Sequence, residues 1–264
     1  MPRSPRSLVG AVLRRTPPYR RLEQERAELA TANHELRREA RRRARPSDRD
    51  DLSYVFVVTY GRSGSTLLLG ILHSTPGWLI RGENAGAVYW LHRHYKTIVD
   101  EPQSKRRAKP FPSTHPWFGF DGYPRKRARA AIRALIIDTL LRPEPDTRVT
   151  GFKEIRWNQP DLIDYLRFLQ ELFPGAKFVF NTRSLDQVAK SKWWAERDDA
   201  IDELARTEAL QAEAAAALGP EAAFTVRYDD YVDDPASLRG LFEWLGEEFD
   251  EDRVRAVMTV PHSY

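Results

Sequence analysis

Two hydrophobic periods alternate along this chain. Runs rich in β-branched and aromatic residues near 54–59, 148–152, 177–182 and 224–228 read as strands. Between them, apolar positions recur at helical spacing near 66–74, 85–97, 124–141, 160–173, 185–197, 199–217 and 236–246. Pro124 and Pro160 stand where a helix accepts proline, in the first turn. Strand and helix in alternation predict an α/β fold, a parallel sheet with helices on both faces. No repeat of about 20–50 residues interrupts it. With 264 residues, 41% of them hydrophobic, the chain can bury one sizeable core once a tail is set aside.

That tail is residues 1–50, and its charge sets it apart from a domain spanning 51–264. It holds 14 arginines and 7 acidic residues, which leaves 28 basic and 31 acidic residues beyond it. The formal charge of +4 therefore belongs to the tail. Leu22, Leu29 and Leu36 are seven apart, with Asn33 at the other seam position, which predicts a basic helical, coiled-coil-like extension. With only about three heptads, residues 19–45 either pair as a homodimer or pack as a solvated helix on the body. The Arg-rich positions 37–45 suit a membrane surface or a nucleic acid equally. The acidic balance of 51–264 makes nucleic acid the less expected partner.

The chemistry begins where the first strand ends. Tyr54 to Val58 runs into Thr59-Tyr-Gly-Arg-Ser-Gly-Ser-Thr, and a helical pattern follows at once. A strand, a small-residue loop and a helix N-terminus form an anion cradle: backbone N–H groups point inward and the helix dipole favours negative charge. Gly61 and Gly64 permit close approach, Ser63, Ser65 and Thr66 offer hydroxyls, and Arg62 supplies a cation. A nucleoside-triphosphate loop would carry Lys and Ser/Thr after its last glycine. Here Ser65 holds the lysine position, so this P-loop-like turn suits a phosphate or sulfate ester better than a triphosphate with magnesium.

A second anion site is spelled out at residues 177–194. Lys177 to Thr182 reads as a buried strand ending at Arg183, and Ser184 suits the N-cap of the helix carrying Ser191. Ligands of open α/β sheets sit beyond the carboxyl ends of strands. An arginine there, with a serine eight residues on, can grip one phosphate by a charge-assisted fork plus a hydroxyl. Together the two sites predict a ligand with two separate anionic ends.

Other candidates leave alternatives open. Glu83, between Trp78-Leu-Ile and the aromatic stretch Ala87-Val-Tyr-Trp-Leu, is either an enclosed general base with a raised pKa or a carboxylate complementing a helix dipole. Lys153, with Arg156 as a second of the same kind, either meets developing negative charge or pairs with Glu154 or Asp161. Trp90 lies with His92 and His94 on one helix, at the surface or in an acceptor pocket. His115 is the alternative base. It lies in a long loop from Lys105 to Gly122, read as an acceptor-binding lid. There Trp117, Phe118 and Phe120 can stack on an acceptor, and Arg106, Arg107 and Lys109 can meet an acidic one. The alternative is a basic surface loop pinned by its aromatics.

Across roughly residues 53–258 these motifs resemble the sulfotransferases that use 3′-phosphoadenosine 5′-phosphosulfate (PAPS), releasing PAP. The resemblance implies that Gly61, Arg62, Ser63, Gly64, Ser65 and Thr66 hold the 5′-phosphosulfate, and Arg183 and Ser191 the 3′-phosphate. Arg227-Tyr-Asp-Asp-Tyr-Val-Asp-Asp-Pro is similar to the family region that places a tyrosine, here Tyr228, near the adenine. The loop, followed about twenty residues later by Gly82-Glu83, is closest to the tyrosylprotein and bacterial carbohydrate branches. That likeness makes Glu83 the catalytic base and Lys153 a cation at the reacting sulfuryl group, with Arg62 beside them. Two features depart from the cytosolic small-molecule enzymes: no C-terminal Arg-Lys-Gly, and no clean counterpart of their histidine base.

The expectation is a cytoplasmic, metal-free enzyme passing a sulfuryl group to a hydroxyl of a sugar, glycolipid or natural product. No apolar run fits a secretory signal or approaches the ~20 residues of a membrane span. With no cysteine and no HExxH, zinc is not expected. The competing readings are a nucleotide-dependent kinase with an atypical phosphate loop, and a non-catalytic coiled-coil scaffold.

Overall fold

The structure, a computed structural model, describes residues 45–103 and 110–260, with scattered positions between 21 and 35. It divides into two units, Met1–Arg45 and Pro46–Tyr264. In the first, Arg21 Nε donates to Glu25 at 3.2 Å and Gln24 to Glu28 at 3.0 Å, the i,i+4 pairs of a helical turn. Leu22, Asn33 and Leu36, on which the coiled-coil expectation rests, lie outside the described residues. So do most of 37–45, and Arg106, Arg107 and Lys109.

The second unit is built on five parallel strands: β1 (Ser53–Val58), β2 (Trp78–Arg81), β3 (Val149–Glu154), β4 (Lys177–Thr182) and β5 (Ala223–Arg227). Their order is β2-β3-β1-β4-β5, with β1 at the centre. Side chains of a strand alternate between faces, and in β1 this sorts the core in two. Tyr54, Phe56 and Val58 join one buried cluster, with Ile132, Leu166 and Phe173; Val55 and Val57 join another, with Leu68, Ile71 and Phe242. The sheet is accordingly covered on both faces. The first cluster takes α2 (Ala87–Gln103), α3 (Arg125–Leu135), α4 (Leu162–Leu172) and α6 (Ala200–Leu218). The second takes α1 (Ser65–His73), α8 (Arg239–Leu245) and α9 (Glu251–Met258). The short α7 (Tyr228–Asp233) joins the second through Tyr231, and the short α5 (Leu185–Ala189) packs in a small third cluster with Tyr60, Trp194 and Leu204.

One glycine decides how closely β3 approaches β1. A Cβ on Gly151 would stand 1.7 Å from the Val55 carbonyl oxygen, inside the neighbouring strand's backbone. Among the described residues, no helix is long and apolar enough to cross a membrane.

Several expectations need correction. The sheet has a fifth strand, β2: four residues with alternating burial at an edge, too short to read as more than an apolar piece. The helix expected over 185–197 ends at Ala189 and resumes as a 3₁₀ turn at Lys192–Glu196, because Lys192 takes a left-handed φ of 47°. Pro160 precedes α4, which starts at Leu162 after Asp161, so it is not in the first turn. The stretch from Tyr228, Asp-rich and without an apolar period, forms α7.

Candidate active site

The loop between β1 and α1 is set by its backbone. Arg62 (φ 69°) and Gly64 (φ 78°) are left-handed on either side of Ser63, a conformation that turns successive N–H groups into one concavity. Gly64 has no substitute there: a Cβ would meet the Tyr228 ring at 1.9 Å. The floor of the loop is a hydrogen-bonded polar network. Thr59 Oγ1 donates to the Asn181 carbonyl at 2.7 Å, which leaves Ser63 Oγ to donate to Thr59 Oγ1 at 2.6 Å. Asn181 Nδ2 donates to the Ser63 carbonyl at 3.0 Å, and Tyr231 donates to Asn181 Oδ1 at 2.9 Å. Gln211 Nε2 donates to the Thr59 carbonyl at 3.1 Å from α6. Ser63 is fully buried, and its hydroxyl serves this network, not a ligand. That corrects one expected donor, while Ser65 and Thr66 line the open side.

The second motif is stitched to the first. Arg62 Nε donates to Ser191 Oγ at 3.0 Å, and Arg183 Nη1 donates back to the Arg62 carbonyl at 3.2 Å. Arg183 also stacks on Tyr228, its guanidinium carbon 4.4 Å from the ring centroid. Behind it, the Tyr60 hydroxyl accepts the Arg183 N–H at 2.9 Å and donates to Glu208 at 2.6 Å. Burial, with Glu208 beside it, pushes the Tyr60 hydroxyl well above its usual range, so it stays protonated to donate. Ser191 lies outside α5, at the entrance of the 3₁₀ turn, contrary to the helix expected to carry it. Ser184 does precede α5 but makes no side-chain cap; its N–H donates to Asp229 instead.

The first motif and Arg183 of the second open onto one cavity of about 440 Å³, within the ~300–1,000 Å³ common for small-molecule sites. Ser191 does not line it and meets it through its bond from Arg62. Glu83 and Lys153 lie in the same wall, and Lys153 Nζ donates to Glu83 Oε1 at 2.5 Å. Lys153 is buried at the end of β3, with 6% of its side chain exposed, whereas 44% of the Glu83 side chain meets solvent. The apolar enclosure expected around Glu83 is therefore replaced by an ion pair. Lys153 pairs with neither Glu154 nor Asp161. Asp161 accepts from Tyr89 and Arg93, both at 2.9 Å. Glu154 accepts only main-chain N–H groups among the bonds described. Arg156 donates to the Ala85 carbonyl at 2.8 Å.

The remaining cavity walls were not singled out in the sequence. Trp193, Ile155, Met258 and Val260 line it. Trp193 and Trp194 are adjacent but diverge: Trp194 is buried and donates to the Gly61 carbonyl at 3.2 Å, and Trp193 turns out over the loop. Their neighbourhood to Ser191 was the available signal. Met258 and Val260 come from the far end of the chain and carried none.

The acceptor candidates lie outside this cavity. His115 stacks on Phe111 at 4.2 Å and accepts the Trp117 N–H through Nδ1 at 3.1 Å. Trp117 packs edge-on against Phe120, and Trp90 is exposed beside Tyr89. None of His115, Trp117 and Trp90 lines the cavity. His92 is buried, stacked on Tyr165, and burial lowers its pKa. Among the described residues no His, Asp and Glu cluster could hold a metal ion.

Residues 54–251 match the model of a family described as the sulfotransferase family. Among solved structures, the chain is similar to the sulfotransferase domain of the Synechococcus PCC 7002 olefin synthase, at 18% identity over 81% of this chain and 80% of that one, TM-score 0.46. It is also similar to sulfotransferase STF9 from Mycobacterium avium, at 16% identity over 82% and 70%, TM-score 0.43. A third is retinol dehydratase in complex with androsterone and the inactive cofactor PAP, at 14% identity over 82% and 64%, TM-score 0.37. No curated protein matches the chain.

Proposed function

This chain belongs to the sulfotransferase family, and on that footing we propose that it moves a sulfuryl group from PAPS to the hydroxyl of a sugar, glycolipid or natural product. The observation that carries the reading is the crossed pair Arg62–Ser191 and Arg183–Arg62, which ties the second motif to the first loop, with Arg62 and Arg183 in one cavity with the Glu83–Lys153 pair. A donor with anions at both ends of a nucleoside requires that arrangement, and a single-anion ligand does not.

The residues fit such a donor. Arg183 Nε is buried without a hydrogen-bond partner, so the arginine keeps a donor for a phosphate. In this reading Arg183 and Ser191 hold the 3′-phosphate, and Tyr228, stacked beneath Arg183, borders the adenine. The amides of Gly61 to Thr66, with Arg62, hold the 5′-phosphosulfate. Bound there, the donor supplies an activated sulfuryl group on a good leaving group.

The protein's own share is to orient, to accept a proton and to meet charge. The Glu83 carboxylate, through the oxygen not held by Lys153, takes the acceptor hydroxyl proton, which must leave as the new bond to oxygen forms. Lys153, brought to the same point, meets the negative charge that grows on the departing oxygen. Its position between a carboxylate and the anion cradle lets it leave Glu83 for the donor as the site fills. The exposed edge of Glu83 leaves room for an acceptor.

Calorimetric titration with PAP, and with ATP plus magnesium in parallel, tests the reading. PAP binding without ATP binding supports it, and transfer of label from PAPS to a panel of phenols, glycosides and glycolipids then identifies the acceptor class. ATP binding without PAP binding would overturn it in favour of a kinase.

A further inference from the structure

Beside Lys153, and pointing to the opposite face of β3, stands a buried carboxylate that the proposed chemistry leaves unused. Glu154 is 2% exposed. Its Oε2 accepts the N–H groups of Asn84 at 2.9 Å and Gly86 at 3.0 Å. Its Oε1 accepts those of Ile155 at 2.8 Å and Arg156 at 3.2 Å. Both oxygens are thus committed to main chain, and the first two amides belong to the turn that begins directly after Glu83. That turn is unusual: Ala85 (φ 56°) and Gly86 (φ 75°) are both left-handed, which aims the amides at one point. A non-glycine residue in this region is strained and persists only where its surroundings hold it.

We propose that Glu154 is a positioning residue for the proton acceptor: it fixes the main chain that carries Glu83, and Lys153 fixes the side chain. Alternation along β3 makes this possible. Lys153 and Glu154 are consecutive and so face opposite ways, yet both end on the 83–86 segment, one on the carboxylate and one on the backbone behind it. A carboxylate suits the role better than an amide. Four N–H donors converge on two oxygens, and a glutamine would present its own N–H₂ to one of the two pairs. The role of Glu83 as base is the reading given above, and this inference rests on it; the contact between Glu154 and the turn does not.

The test separates the two. Amide hydrogen exchange on the full chain, wild type against Glu154→Gln, reads the turn directly. Exchange within 83–87 should quicken at least about tenfold, while the β1 and β4 amides and the melting temperature stay near wild type. Unchanged exchange in 83–87, or faster exchange throughout the sheet, would overturn the positioning role. Turnover with PAPS and an acceptor from the panel supplies the second reading. Glu154→Gln should lower kcat by roughly 10²-fold, the scale of a ~1 Å misplacement, with PAP affinity unchanged. Glu154→Asp, which keeps both oxygens, should recover part of that loss. In a Glu83→Gln background, Glu154→Gln should cost little more, since residues acting as a unit are not additive. A full second loss would show that Glu154 does not act through Glu83. A silent Glu83→Gln would refute the base assignment while leaving the exchange result standing.

Discussion

Lys153 Nζ donates to Glu83 Oε1 at 2.5 Å, joining the end of β3 to the segment between β2 and α2 across 70 residues of sequence. The contact ties the sole carboxylate in the cavity wall to the buried lysine beside the anion loop. Glu83→Gln keeps the shape and one acceptor oxygen but removes the base. Turnover should fall by about 10²–10⁴, with PAP affinity within about a factor of two of wild type. Lys153→Met should cost roughly 10²–10³ in kcat by leaving developing charge unmet. Steady-state kinetics beside calorimetry separates the two quantities. Retained turnover in Glu83→Gln would refute the base assignment, and His115, which does not line the cavity, is not the fallback.

Arg183 and Ser191 are expected to act unequally. Arg183 has a buried Nε without a partner and stacks on Tyr228, whereas Ser191 Oγ already accepts from Arg62. Arg183→Ala should weaken PAP binding by about 1.5–3 kcal/mol, the range for hydrogen bonds to charged groups. Ser191→Ala should cost about 0.5–1.5 kcal/mol, the net value of an ordinary hydrogen bond. Calorimetry with PAP checks both, and unchanged affinity in Arg183→Ala would refute the 3′-phosphate assignment.

What the sequence made legible is what strong local signals encode. The apolar runs of β1, β3 and β4, and the Gly-Arg-Ser-Gly turn, carry their structure in a few adjacent residues. β2 escaped because Trp78–Arg81 is a four-residue edge strand, whose alternation needs its partner β3 to be recognised. Ser63 was misread because a buried serine and a ligand-facing serine look alike; only Thr59 and Asn181, the latter on β4, show where its hydroxyl goes. Trp193 and Trp194 differ by which way one turn rotates. Glu154 was weighed as a partner for Lys153, since sequence shows neighbours in a strand but not that they face apart.

Acid should destabilise the fold in two stages. Burial lowers the pKa of both His92 and His73, and His73 Nε2 accepts the Ile80 N–H, which requires a neutral ring. A base whose folded pKa lies below its unfolded value takes up its proton first in the unfolded chain. Stability therefore falls as pH drops below about 6.5, until the folded value is passed. Asp161 follows at lower pH. Burial alone would raise its carboxyl, but bonds from Tyr89 and Arg93 outweigh it and hold it low. Its contribution is present above the unfolded value of about 3.9 and is lost as pH falls through the folded one. Melting temperature against pH measures both stages, and His92→Phe should flatten the first. A melting temperature constant from about pH 7.5 to 5 would contradict the burial of two neutral imidazoles.

Gly61 and Gly151 should respond oppositely to the same added methyl group. A Cβ on Gly61 would stand 2.7 Å from Trp193 Cζ2, and Trp193 is 46% exposed, so the ring can swing into solvent. A Cβ on Gly151 would stand 1.7 Å from the Val55 carbonyl oxygen and 2.7 Å from its carbon, and the centre of a parallel sheet cannot step aside. Gly151→Ala should then destabilise at or beyond the ~3 kcal/mol upper end for overpacking, seen as a collapse in melting temperature or in soluble yield. Gly61→Ala should melt near wild type but bind PAP less well, because Trp193 stands over Arg62 with the guanidinium 6.0 Å from its ring. The decisive comparison is a double-mutant cycle. With Trp193→Ala in place, Gly61→Ala should have no further effect on PAP affinity, since the atom it strikes is gone. A persistent penalty would mean that the loop backbone itself, and not the indole above it, requires glycine at position 61.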